Sequence, residues 1–289
     1  MKKNSVIVIA MLAVMAGGCT GEVTEVERPL YPTEGAINAR YSIDDDVTVV
    51  FSKGNLQYQA SSRTWRFANR QYEVAGYDNE QADTNYSGWI DLFGWGASGA
   101  NGLMPYTVSD SSERYASGMY DIGSSQYDWG VHNAITGAGN GVGLWRAMTY
   151  EEWRYLLKYR TDAAKKKALA TIENVGLHGG AMHGMLLLPD KWDLPEGCTY
   201  QYGVKEGYET NVYSAEQWNK MEGAGAVFLP AAGERDGNTV GLVGDYGCYW
   251  TTTGYTLESA YELYFLSGTY DFYPTNRATG HSVRLVMEK

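Results

Sequence analysis

The sequence predicts an α+β domain, with its helices in the middle of the chain and an antiparallel sheet meandering through the last third. Three observations predict it. Thr149-Tyr150-Glu151-Glu152 and Ser214-Ala215-Glu216-Gln217 are both capping boxes: a hydroxyl residue with Glu or Gln three positions on. Apolar residues follow each box at helical spacing. After residue 225, short β-branched and aromatic runs succeed one another with Gly, Asp or Asn between them. No repeat of solenoid period interrupts this order.

In chain order, Val47–Phe51 reads as a strand, Lys53-Gly54-Asn55 as a turn, and Leu56–Tyr58 as the return strand. Thr64–Phe67 is a further short strand. From Asn79 to Gly143 the chain is rich in Gly, Ser, Asp, Asn, Tyr and Trp, which predicts irregular structure packed around Trp89, Trp95 and Trp129. Trp153, Leu156 and Leu157 share one face of a helix over 150–160. A second helical stretch is expected over 162–170 and a buried strand at Met185–Pro189. The second capping box opens a short helix through Met221. Strands are expected at Ala226–Leu229, Tyr249–Thr253, Ala260–Leu266 and Ser282–Met287. Alternation along Ala260–Leu266 puts Tyr261, Leu263 and Phe265 on the core face and Glu262 and Tyr264 on the other. Ser267–Arg277 reads as a long aromatic loop. Arg284, between Val283 and Leu285, is expected to form a structural ion pair.

The chain has 289 residues and a net charge of −11. An acidic chain without a Lys/Arg cluster is a poor nucleic-acid binder, because phosphate neutralisation supplies most of that affinity. Lys165-Lys166-Lys167 is the sole basic run and reads as a solvated helix face. Tyr and Trp are abundant, 24 and 9 against 6 Phe. They join an apolar body to a polar tip, which suits interfaces and sugar contact as well as a loop-rich core.

At the N-terminus, Lys2 and Lys3 precede the apolar run Val6–Met15, which falls short of the roughly 20 residues that span a bilayer. It suits a signal peptide. Ala16-Gly17-Gly18-Cys19 resembles the lipobox of bacterial lipoproteins. That resemblance implies a signal peptide over 1–18 and lipid attachment at Cys19. The polar stretch that follows, with Pro29 and Pro32 and no periodicity, reads as a flexible tether over 19–40, ahead of one domain over 41–289. The acidic stretch after Cys19 (TGEVTEVE) resembles the surface-export signal of Bacteroidetes lipoproteins. The expected location is the outer membrane, at the cell surface, with the periplasmic face as the alternative. Multiple acyl chains would make such an anchor firm.

Eight segments carry a wider resemblance: Gly54–Tyr58 (GNLQY), Trp65–Phe67 (WRF), Gly88–Trp95 (GWIDLFGW), Trp145–Trp153 (WRAMTYEEW), Leu187–Trp192 (LLPDKW), Phe228–Arg235 (FLPAAGER), Tyr249–Thr253 (YWTTT) and Gly280–Val286 (GHSVRLV). In this order they resemble the Bacteroidetes lipoproteins with a Fibrobacter succinogenes major paralogous domain. Ala147-Met148 stands where that family usually has Leu-Pro. The resemblance implies a C-type-lectin-like fold of the formylglycine-generating-enzyme type. That fold is loop-rich, with two or three short helices and a C-terminal antiparallel sheet.

Enzymes of that type use two cysteines as copper ligands shortly before their terminal Gly-Phe-Arg. The corresponding stretch here, 249–280, has no cysteine. A non-catalytic module binding glycan or protein ligands is therefore expected, with a formylglycine-generating-type oxidase or accessory factor as the alternative. Cys198 and Cys248 could pair as a disulfide or stay as buried thiols. No cofactor is expected. His178 and His183 lack a zinc spacing, and the calcium-lectin tripeptides are absent. A weak calcium site would draw on loop carbonyls with Asp236, Asp245 or Asp271. The ligand face that the resemblance implies holds Tyr255, Glu262, Tyr264, Tyr270, Tyr273 and Asn276, with the packing of Tyr270, Phe272 and Tyr273 over the sheet as the competing reading.

Overall fold

The computed structural model describes residues 34–81, 83–108, 111–116 and 118–289. The expected signal peptide over 1–18 and the expected lipid site Cys19 lie outside the described residues. The part of the expected tether from residue 36 on is packed. Ile37 and Ala39 are buried, and the Ile37 amide donates to the Phe51 carbonyl at 2.8 Å.

Strands β1 (Tyr41–Ser42) and β2 (Thr48–Phe51) pair antiparallel. β3 (Leu56–Gln59) pairs with β4 (Thr64–Phe67) and not with β2. The free edge of β2 is taken by the last strand, so the expected 47–58 hairpin does not form. Between 68 and 147 the only α-helix among the described residues is α1 (Trp129–His132), capped by Asp128. Trp95 and Trp129 are fully buried there, as expected. Trp89 is half-buried, with the Arg66 guanidinium 3.8 Å above its ring.

Helix α2 (Tyr150–Arg154) begins at the predicted capping box, with both reciprocal bonds made, and runs on as a wider turn through Tyr159. The helix expected over 162–170 is instead one turn, Ala163–Lys165, followed by strand β5 (Lys167–Ile172). Ala and Lys favour helix, but β5 lies between two strands. It pairs antiparallel with β6 (Met182–Leu187) and parallel with β7 (Val212–Tyr213). That tertiary pairing outweighs a propensity difference of a few tenths of a kcal/mol per residue. The basic run is correspondingly not one solvated face. Lys167 is buried, its ammonium donating to the Leu157 and Ala163 carbonyls at 2.7 and 3.2 Å.

Helix α3 (Ala215–Gly223) uses the second capping box and leads into β8 (Val227–Pro230), which closes a four-stranded sheet in the order β7-β5-β6-β8. Both faces of this sheet are covered. Leu169, Met185 and Leu187 pack towards Trp153, Leu156 and Leu157 of the α2 segment. Ala170, Ile172 and Leu186 pack towards Trp218 and Met221 of α3. A strand buried on both faces reads as a continuous apolar run, which is why β6 was legible.

A ribbon of β9 (Glu234–Asp236) and β10 (Thr239–Gly241) precedes the sheet β11 (Gly247–Gly254), β12 (Ser259–Leu266) and β13 (Thr269–Asn276). The expected loop at 267–277 is therefore mostly strand. Leu266 pairs with Thr269 across the two-residue turn Ser267-Gly268, and Gly268 takes a φ of +88°, open to glycine. Pro274 fits because β13 is an edge strand. β14 (Val286–Glu288) returns to β2 and completes the sheet β1-β2-β14. The coarse prediction of an α+β domain with short helices and a terminal meander holds.

Candidate functional site

The terminal sheet has two dissimilar faces. Register places Tyr249, Leu263 and Phe272 together, facing α2. The opposite face carries Cys248, Trp250, Glu262 and Tyr264. The expected ligand residues are divided between these faces and do not form one patch. Tyr273 is 61% exposed and opposes Glu262 in the register. Tyr264 is half-buried, 5.9 Å from the Tyr246 ring. Tyr270 lies on the α2 side, half-buried beneath the Lys158 and Lys167 ammonium groups. Tyr255, beyond the end of β11, is 54% exposed. Asn276 is exposed and its side chain accepts from the Ala278 amide. Glu262 is a correction: it points away from Leu263, as expected, but is only 4% exposed. Trp250 on β11 and the segment after β13 cover it.

On the α2 side, rings and cations form a continuous strip. Tyr255 meets Tyr261 edge-on at 5.3 Å, and Tyr261 stacks on Tyr150 at 4.3 Å. Phe272 meets Tyr150 edge-on at 5.2 Å. The Arg154 guanidinium lies over both Tyr150 and Tyr159, at 5.2 and 5.3 Å. Glu151 holds Arg154 at 2.8 Å. Lys158 lies over Phe272 and pairs with Asp271 at 3.1 Å. Tyr159, at the far end, is 58% exposed. The helix residues of this strip went unnoticed in the sequence because Tyr150, Arg154 and Lys158 look like an ordinary solvated helix face.

On the other face, four titratable side chains converge. His281 is fully buried, its ring 4.4 Å from that of Trp250. Its Nδ1 lies 2.9 Å from Glu262 Oε2 and its Nε2 3.6 Å from Glu234 Oε2. The shorter approach lacks hydrogen-bond alignment, so both ring nitrogens and Glu262 Oε2 are without a hydrogen-bond partner. The contacts are ionic. Burial alone would lower the imidazolium pKa, but Glu262 and Glu234 outweigh it and hold it at about 9. Interaction with His281 in turn lowers that of Glu234. Cys248 joins the group, and burial followed by repulsion from Glu262 and Glu234 pushes its thiol well up.

Local structure positions each member. Gly233, at φ +76°, lets the chain turn into β9, and a Cβ on it would strike the Gly241 carbonyl. His281 is held by reciprocal backbone bonds with Phe93, and Ser282 bridges to Tyr249. Among the described residues, Glu234, Cys248 and His281 form a group able to hold a metal ion, with donor atoms all within 4.8 Å. The sequence hid it because its members are spread along the chain with no ligand spacing. The available signal was an acid, Glu262, inside an otherwise apolar strand.

Cys198 and Cys248 are unpaired. Cys198 packs under α3, its thiol donating to the Gln217 carbonyl. Arg284 is a further correction, since it makes no ion pair among the described residues. It is buried and donates to Gln71, Asn55 and the Phe228 carbonyl. The aspartates considered for calcium are exposed, and Asp271 is engaged by Lys158. His183 Nδ1 lies 2.8 Å from the Gly244 carbonyl and its ring stacks on Tyr208. No protein-family model, characterised protein or solved structure matches the chain.

Proposed function

We propose that this chain is an exported lipoprotein, anchored through Cys19 and facing the cell exterior, whose folded domain binds glycans on the aromatic strip from Tyr255 to Tyr159. The anchor reading rests on the charged start, the short apolar run and the Ala16–Cys19 motif. A C-type-lectin-like architecture of the formylglycine-generating-enzyme type is the finer fold reading. It is supported by the capped helix after Trp145, the terminal meander and the return of β14 to β2.

One observation carries the glycan reading: flat rings alternate with fixed charged groups along a single face. Tyr255 and Tyr159 offer exposed rings at the two ends, the stacked pair Tyr261 and Tyr150 joins them, and Arg154, Glu151 and Lys158 offer donors and acceptors alongside. A sugar presents the matching pattern, a C–H face edged with hydroxyls. Tyrosine also loses little entropy when it is ordered. Binding is favoured over thiol-based oxidation because the two cysteines keep different company, one under α3 and one beside Glu262.

The test is a glycan array probed with the soluble domain, followed by titration of the best ligand. Tyr255→Ala and Tyr159→Ala should each weaken binding about tenfold or more. Tyr273→Ala, on the other face, should not. Equal loss in all three, or loss in Tyr273→Ala alone, would move the site off the strip.

A further inference from the structure

We infer that Glu234, Cys248 and His281 bind one divalent transition-metal ion of the zinc class, with Glu262 orienting the imidazole. This rests on the buried face of the terminal sheet and is independent of the glycan reading.

The donor set comes first. One carboxylate oxygen, one thiol sulfur and one imidazole nitrogen converge from β9, β11 and the segment after β13, within 4.8 Å of one another. Zinc bonds of about 2.0–2.3 Å place tetrahedral donors roughly 3.3–3.8 Å apart, so the widest separation must close by about 1 Å. Glu234 can supply that movement, because its side chain is 36% exposed. Thiolate with imidazole selects zinc-class ions over calcium or magnesium, which prefer oxygen alone.

The second observation is the histidine itself. Neither nitrogen of this fully buried ring makes an aligned hydrogen bond, and each is met only by an ionic contact, to Glu262 at 2.9 Å and to Glu234 at 3.6 Å. Buried donors without an aligned acceptor are disfavoured. A metal on one nitrogen, with Glu262 accepting from the other, satisfies both. That is the usual arrangement of a ligating histidine backed by a carboxylate.

Charge points the same way. Two carboxylates face one imidazole, which can neutralise only one of them. Arg235, the next residue after Glu234, turns its guanidinium away to the carbonyls of Gly237 and Leu92. A divalent ion with Glu234, the Cys248 thiolate and neutral His281 sums to zero. Glu262 then carries the remaining negative charge as the hydrogen-bond acceptor of the ring.

The full chain, reduced and stripped with a chelator, is titrated with Co²⁺ and then Zn²⁺. Wild type should bind one ion per chain, show the near-ultraviolet charge-transfer band of a cobalt–thiolate bond, and lose that band as Zn²⁺ displaces cobalt. Cys248→Ser should lack the band and Cys198→Ser should keep it. Glu234→Gln, at a partly exposed position, should stay folded in the metal-free form, with some loss of thermal midpoint from the missing contact to His281, and should bind Zn²⁺ at least tenfold more weakly. That variant keeps the test decisive if Cys248→Ser does not fold. The inference is overturned if folded, reduced wild type gives no band, if the band follows Cys198, or if Glu234→Gln binds Zn²⁺ as wild type does.

Discussion

The stretch 68–147 and the stretch 148–289 contribute equally large tryptophans to the interior: Trp95, Trp129 and Trp145 from the first, Trp153, Trp218 and Trp250 from the second. They hold their backbones by different means. The later stretch satisfies its amides and carbonyls in ladders. The earlier one, with no strand among its described residues, satisfies them through turns and isolated backbone bridges and, between these, through buried polar side chains. Asn79 Oδ1 accepts from the amides of both Asp91 and Leu92, and its nitrogen donates to the Gly76 carbonyl. Asp128 accepts from Gly130 and Ala147. Arg277 reaches in from the terminal hairpin, donating to the carbonyls of Ala116, Met119 and Thr256 while its guanidinium lies 4.1 Å from the Trp95 ring. A ladder spreads its stabilisation over many bonds. A loop held by one side chain concentrates it.

If that contrast is right, single substitutions should cost most where one side chain serves several backbone groups. Arg277→Ala leaves the buried carbonyl of Ala116 and the part-buried carbonyls of Met119 and Thr256 without this donor. It should destabilise by about 3 kcal/mol or more. In thermal unfolding that is a fall of roughly 6–12 °C for a domain of this size. A fall under about 2 °C would break the comparison. Asn79→Ala orphans two amides and should cost about 2–3 kcal/mol, read from the denaturant midpoint at constant slope.

Asp128 gives the contrast a pH signature. Burial raises its carboxyl from 3.8 to about 7, against the pull of its backbone bonds. The folded state therefore binds the proton more tightly than the unfolded chain does. This group's stabilising contribution is full below pH 4 and is lost as pH rises through about 7. Asp128→Asn should flatten that part of the stability profile, and parallel wild-type and variant curves between pH 4 and 8 would exclude the assignment. In the regular half, Thr149→Ala removes only a cap and should cost about 1 kcal/mol by the same denaturant titration. Tyr273→Ala, at an exposed edge, should shift the thermal midpoint by no more than about 2 °C.

The same division explains what could be read from sequence. Both capping boxes, α2, α3, β6, β8, β11 and β12 carry local signals, and local signals survive burial; of the strand expected over Ser282–Met287 only the end forms, as β14. β5 was misread because Ala163–Ala170 has helical composition, and only pairing on both sides makes it a strand. β13 was misread because Gly268 hides a two-residue turn inside an aromatic run. The site was legible only in part. Tyr255 and Tyr270 flagged the aromatic end of the α2 face, but Arg154 and Tyr159 join it through helix geometry. Glu234, Cys248 and His281 meet only through sheet register and the Phe93 bridge, which no spacing rule encodes.

The seating of β2 between β1 and β14 has a mechanical consequence. In the anchored chain proposed above, drag on a bound ligand is resisted through residue 34. The segment after residue 34 is bonded antiparallel to β2, Ile37 to Phe51 and Lys53 to Gly35. Antiparallel bonds lie perpendicular to the strand, so a pull directed along the segment would strain both together in shear instead of opening them one by one.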